Sequence, residues 1–238
     1  MAGLSGSGWL SMKQNGQAVV ETLIVLPVVL LTLLLVVQLL WLVFASATFR
    51  VAVSYSLRAG SINHGSLAAM ERTLVAGMAS LQPAVPATES GDEPSKSELQ
   101  GVQLKVTAQQ WLHYQLSGKI QVHQPSSEIL NSEAERRYDL VSGTWINELA
   151  VDHALVRMQT EDPERWQQQR QLEIEVWWCL PLEVPLAAQL LTELRQWWTS
   201  AAQAHCRLRE EVVGRPLWAL QQRLSTPLQS GYREGLND

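Results

Sequence analysis

Local signatures of catalysis and metal binding are missing from this chain. No H-x-x-x-H or C-x-x-C spacing joins its histidines (His64, His113, His123, His153, His205) or its two cysteines, so no zinc-type ligand set is written in the sequence. P-loop, dinucleotide and G-x-S-x-G signatures are absent as well. A site assembled in space is not excluded by this, but an enzyme reading has no positive support. No metal or cofactor is called for. A basic balance is lacking too: the formal charge is -5, which speaks against nucleic acid as a partner. No self-similarity recurs at about 20–50 residues, so repeat architectures are set aside. The 238 residues leave room for a membrane helix plus one domain of ordinary size.

What is present is one long apolar run. Leu23 to Ala45 is interrupted only by Thr32 and Gln38. As a helix it measures roughly 35 Å at 1.5 Å per residue, against a hydrocarbon core about 30 Å thick. A secretory signal has an apolar segment of about 7–15 residues followed by a small-residue cut site. Here the run is longer, and the small residue, Gly16, comes first. The segment is therefore expected to be retained. Glu21 stands at its edge. A carboxylate there is costly unless partnered and is read as functional. The plain alternative is a place at headgroup level on the first turn, where an acid suits a helix N-terminus. Residues 1–16 are small and polar, with Lys13 their only charge. Arg50 and Arg58 follow the run, so charge bias does not decide orientation.

Gly16, then Gln17-Ala18-Val19-Val20, then Glu21 and the apolar run, resemble a prepilin cleavage signature. The narrower pattern formed by Gly16, Gln17, Ala18, Val20, Glu21, Leu26, Pro27 and Leu30 resembles the TadE-like family, the minor pilins or pseudopilins of the bacterial tight-adherence (Tad/Flp) pilus system. The resemblance implies cleavage by a prepilin peptidase after Gly16, with Gln17 as the new N-terminus. It also implies that Glu21 pairs with a free N-terminal amine on a neighbouring subunit and so guides assembly.

Further along, residues 46–60 continue the helix as a stalk ending at Gly60, a plausible residue just past a helix end. Ser66 is placed as an N-cap. Leu67, Met70, Leu74, Met78 and Leu81 mark one face of a second helix within 61–82, stopped by Pro83. Residues 83–100 read as a linker. A head domain fills 101–238. Within it, alternation predicts strands around Val102–Val106 and around Ile120–Val122, and most clearly over Gln171–Trp178. Residues 126–138 read as a polar helix or loop, and 145–158 as a short helix or strand. Glu173 and Glu175 are two apart, as paired acid–base carboxylates would be, but in an alternating strand they read as its solvated face. Pro185 opens a helix whose Leu186, Leu190, Leu194 and Trp197 are expected to pack against the sheet. An interfacial helix on a membrane is the other reading; it lacks a Lys/Arg cluster, having only Arg195. A last short helix is expected from about Leu217 to Leu224, and the final residues are expected to be loose. The tryptophan pairs Trp177–Trp178 and Trp197–Trp198 read as core and core-edge residues rather than a binding face.

Cys179 and Cys206 both lie beyond the apolar run. They suit one disulfide in an oxidising compartment; two free buried thiols are the other arrangement. His205 beside Cys206 hints at a catalytic pair, but adjacent residues point apart on a helix or strand. The run from Cys179 through Pro181 to Pro185, with a later cysteine, again resembles longer TadE-like proteins.

The expected architecture is α+β and pilin-like. One long N-terminal transmembrane helix (17–60, after a leader at 1–16) carries a periplasmic or extracellular domain with a small antiparallel sheet. The expected function is that of a TadE-like minor pilin or pseudopilin, single-pass in the inner membrane. Its implied partners are the prepilin peptidase, other pilins, the Tad secretion machinery and the lipid bilayer. The rival is an unprocessed, single-pass anchored periplasmic binding or scaffold protein.

Overall fold

The computed structural model describes residues 14–82, 96–160, 162–197 and 200–233. Most of the expected leader and linker, Trp198 and the last residues of the tail lie outside these. The apolar run belongs to α1 (Gln14–Ile62), 49 residues without a break. At 1.5 Å per residue that is about 73 Å. Pro27 sits inside it. The helix runs two residues past the expected stop at Gly60 and turns at His64 and Gly65, both with positive φ. Gly65 is required twice over: its φ is +79°, and a Cβ there would meet the ring of Tyr232 at 2.2 Å.

Ser66 does cap α2 (Leu67–Ala79): its side chain accepts from the Ala69 N–H. Met70, Leu74, Val75 and Met78 are buried. The helix returns antiparallel along α1, and Gly77 lets the backbones approach, since a Cβ there would stand 2.7 Å from that of Ala52. Ser56 Oγ donates to the Met70 carbonyl at 2.8 Å across the pair.

The expected strand at Val102–Val106 is overturned. These residues lie in α3 (Lys96–Ser117), so the expected linker also gives way to helix from residue 96. Val102 and Val106 are four apart as well as alternating with polar neighbours. Their covered face continues through Gln110, Tyr114 and Ser117, while Leu104 faces solvent. Six alternating residues fit both periods; only the longer stretch decides.

Then come β1 (Lys119–Gln124), α4 (Ser127–Glu133), β2 (Glu135–Asp139), β3 (Thr144–Leu149), α5 (Ala154–Thr160) and α6 (Pro163–Gln169). The strand β4 (Gln171–Pro181) is the expected one, extended. After it follow α7 (Pro185–Leu194), a short 3-10 turn (Arg195–Trp197), α8 (Ala201–Arg207), α9 (Glu210–Val213), β5 (Leu217–Pro227) and β6 (Tyr232–Arg233). The expected helix near Leu217–Leu224 is therefore a strand. Trp218, Leu220 and Leu224 all have even numbers and share one face of it, with Gln222 interrupting the apolar row.

Among the described residues two three-stranded antiparallel sheets result, β1-β4-β5 and β2-β3-β6. In the first, β4 is central, and β5 pairs along its whole length from Gln171↔Pro227 to Pro181↔Leu217. Leu172, Ile174, Val176, Trp178 and Leu180 form its buried face. They share one core with Phe49, Val53 and Leu57 of α1 and Met70, Leu74 and Met78 of α2. The second half of α1 is thus part of the head domain. The class is α+β, with a long apolar N-terminal helix and small antiparallel sheets.

Candidate functional site

The first half of α1 stands free of the head. From Glu21 to Leu33 every side chain is exposed, and Leu23, Ile24, Leu26 and Leu33 are more than half so. Among the described residues this is the helix long and apolar enough to cross a membrane. Gly16 and Gln17 lie in its first turn. Glu21 is exposed, and its carboxylate forms no hydrogen bond or ion pair among the described residues.

The head begins where Gln38 is fully buried. Its Oε1 accepts from the Val184 N–H at 3.0 Å. Val184 immediately precedes α7, which packs on α1 through Ala188 and Leu191, with Leu182, against Leu35, Leu42 and Trp218. This reverses an expectation. Leu186, Leu190, Leu194 and Trp197, expected to pack against the sheet, are 50, 40, 44 and 84 % exposed, whereas Ala187, Ala188 and Leu191 are buried. Small residues on the inner side let α7 lie close to the head, and the leucines are left outward.

The cysteines are joined. Cys179, near the end of β4, and Cys206, in α8, form a disulfide with Cα atoms 5.5 Å apart. The same corner is tied by polar groups. Gln203 donates to the Leu217 carbonyl at 3.2 Å and accepts from the Ala219 N–H at 3.0 Å. Arg195 is buried and grips Glu210 with both terminal nitrogens; it also donates to the Leu217 carbonyl at 2.6 Å. Burial pushes the Glu210 carboxyl up, but Arg195 and the Leu217 N–H outweigh it and hold the group below its ordinary value.

His113 and Ser117 are 3.1 Å apart, a nucleophile–base distance by itself. Their other bonds remove that role. The His113 Nε2 lies 2.6 Å from the Cys179 carbonyl, which can only accept, so this nitrogen carries the proton and cannot take one. Ser117 is fully buried, and its hydroxyl donates to the His113 carbonyl at 2.8 Å. Burial holds His113 below the usual histidine range. His205 Nε2 is 3.2 Å from the Ser117 carbonyl. Its ring lies 5.5 Å from that of Trp177, so both residues are structural neighbours of the disulfide.

Glu173 and Glu175 lie on the outer face of β4, partly covered by the partners each of them binds. Arg223 Nε donates to Glu173 at 2.5 Å. Trp177 Nε1 and Gln221 Nε2 donate to Glu175, and His123 stands 2.8 Å from it. The Arg223 bond holds the Glu173 carboxyl low, and the Trp177 bond does the same for Glu175. A general acid at neutral pH needs the opposite shift. At the far sheet, Glu135, Arg137, Asp152 and Arg157 form an exposed network of alternating sign.

One cleft of about 500 Å³ lies between α1, α3 and β4, lined by Trp41, Gln109, His113, Trp178, Glu183 and Arg215. A second, about 420 Å³, lies between Trp166, Arg170 and Leu228. Among the described residues no group of three or more His, Cys, Asp or Glu side chains could hold a metal ion. The features that stand out are the free, apolar first half of α1 and the outward leucine row of α7, which the sequence pattern had placed inward. Compared with models of known protein families, with curated proteins and with solved structures, the chain matches none of them.

Proposed function

We propose that the chain is a membrane-anchored, pilin-like assembly subunit of the TadE-like type, taking part in a Tad/Flp pilus machine. The observation that carries the reading is the division of α1. Its first half bears the Gly16–Gln17–Glu21 pattern and offers apolar side chains on all sides, while its second half is built into a folded head. A helix exposed all round with leucine and valine suits lipid or the core of a helical filament. Among the described residues the Glu21 carboxylate has no partner, and in an apolar surrounding it would need one. A free amine on Gln17 of a neighbouring subunit would have the right charge, and Gln17 precedes Glu21 by about one helical turn. The disulfide suits a head on the oxidising side of the membrane. The action is assembly: lateral packing of helices, with Glu21 selecting the register.

The first test is the mature N-terminus, read by mass spectrometry of protein from native membranes with and without the prepilin peptidase. A chain beginning at Gln17 only when the peptidase is present is the expected result. A chain beginning at Met1 or Ala2 in both would replace this reading with an unprocessed anchored scaffold or binding protein. Glu21→Ala is expected to insert normally and to lose assembly and adhesion; unchanged adhesion would again favour the scaffold.

A further inference from the structure

The lower end of the head carries an apolar face that the head does not cover. Leu186, Leu190 and Leu194 follow one another at intervals of one turn on α7, and Trp197 continues the line. The height of this face along α1 is set by two contacts. Ala188 and Leu191 pack beside Leu35 and Leu42, and the Val184 N–H binds Gln38. A hydrocarbon core of about 30 Å takes about 20 helical residues. If the core begins at Gln17, it ends near Val36. If it begins at Leu23, it ends near Leu42. Leu35 and Leu42 therefore bracket the outer boundary in either placement, and α7 lies beside α1 at that boundary.

We infer that the exposed face of α7, with Trp197, is a second contact of the head with the lipid bilayer, lying in the outer interfacial layer. The inference rests on the reading of α1 as a membrane span. Helices that lie in an interface sink an apolar face about 5–10 Å into it, and tryptophan is favoured at that depth because one edge is apolar and the other donates a hydrogen bond. The chemistry of the face suits neutral, zwitterionic headgroups. Helix α7 contains no lysine or arginine. The next cation, Arg195, is turned inward to Glu210. Apolar insertion, not attraction to anionic lipid, holds the face down. The contact would fix the tilt of the head on its anchor, leaving the second sheet directed away from the membrane.

The test uses the full chain in phosphatidylcholine vesicles whose acyl chains carry a shallow nitroxide. A fluorophore is attached to one added cysteine, with the native disulfide kept oxidised. Leu30→Cys reports the span. Leu190→Cys and Leu194→Cys report the face, as two independent variants. Val141→Cys, 96 % exposed in the β2–β3 turn, reports the far side of the head. Loss of fluorescence at Leu30, Leu190 and Leu194, with none at Val141, is the expected result. Loss at Leu30 alone overturns the contact and leaves the span standing. A blue shift at Leu190 and Leu194 without quenching means that protein, such as a second copy, covers the face, and also overturns it. No quenching at Leu30 removes the span and the inference with it.

Discussion

The two halves of α1 share a helix but not a packing environment: the first stands free of the head and the second is built into it, and their residues differ accordingly. Residues 23–37 are leucine, valine, isoleucine, one threonine and one proline, large side chains that fill space on every side. Residues 45–61 are rich in alanine and serine, with a glycine at Gly60. Ala45, Ala52, Ser56, Gly60 and Ser61 line the buried side, where α2 and β4 come close. Mean hydropathy alone would have separated a span from a soluble stalk near residue 45. Side-chain size and the buried Gln38 place the change some seven residues earlier. A buried amide within an apolar run marks where the head begins, because the folded head offers its oxygen a backbone partner.

Mutations sharpen this contrast. The largest effect is expected in the shared core: Trp178→Ala should cost the head about 3–5 kcal/mol in unfolding free energy, measured by denaturant titration in detergent. Replacing Cys179 and Cys206 by serine should cost about 3–4 kcal/mol in the chain-entropy picture for a loop of this size, and a reductant should reproduce it on the unmutated protein. At the boundary, Gln38→Leu takes the acceptor from the part-buried Val184 N–H, a cost of about 1 kcal/mol that is offset by removing the buried Gln38 Nε2, which has no partner among the described residues; the net change is expected to be smaller than either core effect. Leu30→Ala, in the free half, should leave head unfolding unchanged within about 0.5 kcal/mol. A cost comparable to a core truncation there would mean that the two halves are not separate.

Acid should loosen the head through several small contributions of one sign. Glu135, Asp152, Glu173, Glu175 and Glu210 are all held below their ordinary values. Their contribution is present above the unfolded-state values and is lost as pH falls through the folded ones. His113 and His205 are also held low, by burial. They are folded in neutral form, so their contribution is complete above their ordinary value of 6.5 and is withdrawn as pH drops below it. Thermal unfolding followed from pH 7.5 downward should therefore show a falling midpoint that begins near pH 6.5, and His113→Gln should make the first part of the fall shallower, leaving the part due to His205.

Elements with long or strongly periodic patterns were legible in the sequence. The 49-residue α1, the capped α2, β4 and the cysteine pair belong to this group. The misread elements failed for identifiable reasons. In α3, six residues fitted both a strand and a helix, and only the buried Tyr114 and Ser117 two turns later favour the helix. In β5, Gln222 hides the alternation of Trp218, Leu220 and Leu224. In α7 the leucine row looked inward because large apolar residues usually are. The true inner row is built of Ala187, Ala188 and Leu191, and small residues carry little signal in a hydrophobicity pattern.

The unbroken course of α1 through both regions has a geometric consequence. With about 3.6 residues per turn and 1.5 Å of rise, the head's bearing about the helix axis is counted in residues of the free half. Inserting a single alanine after Leu30 would swing the whole head through about 100° and raise it by about 1.5 Å. Four would bring it round close to its starting bearing, one turn higher. The stretch from Glu21 to Leu33 thus works as a phase setting, and its length fixes which way the head faces relative to the start of the helix.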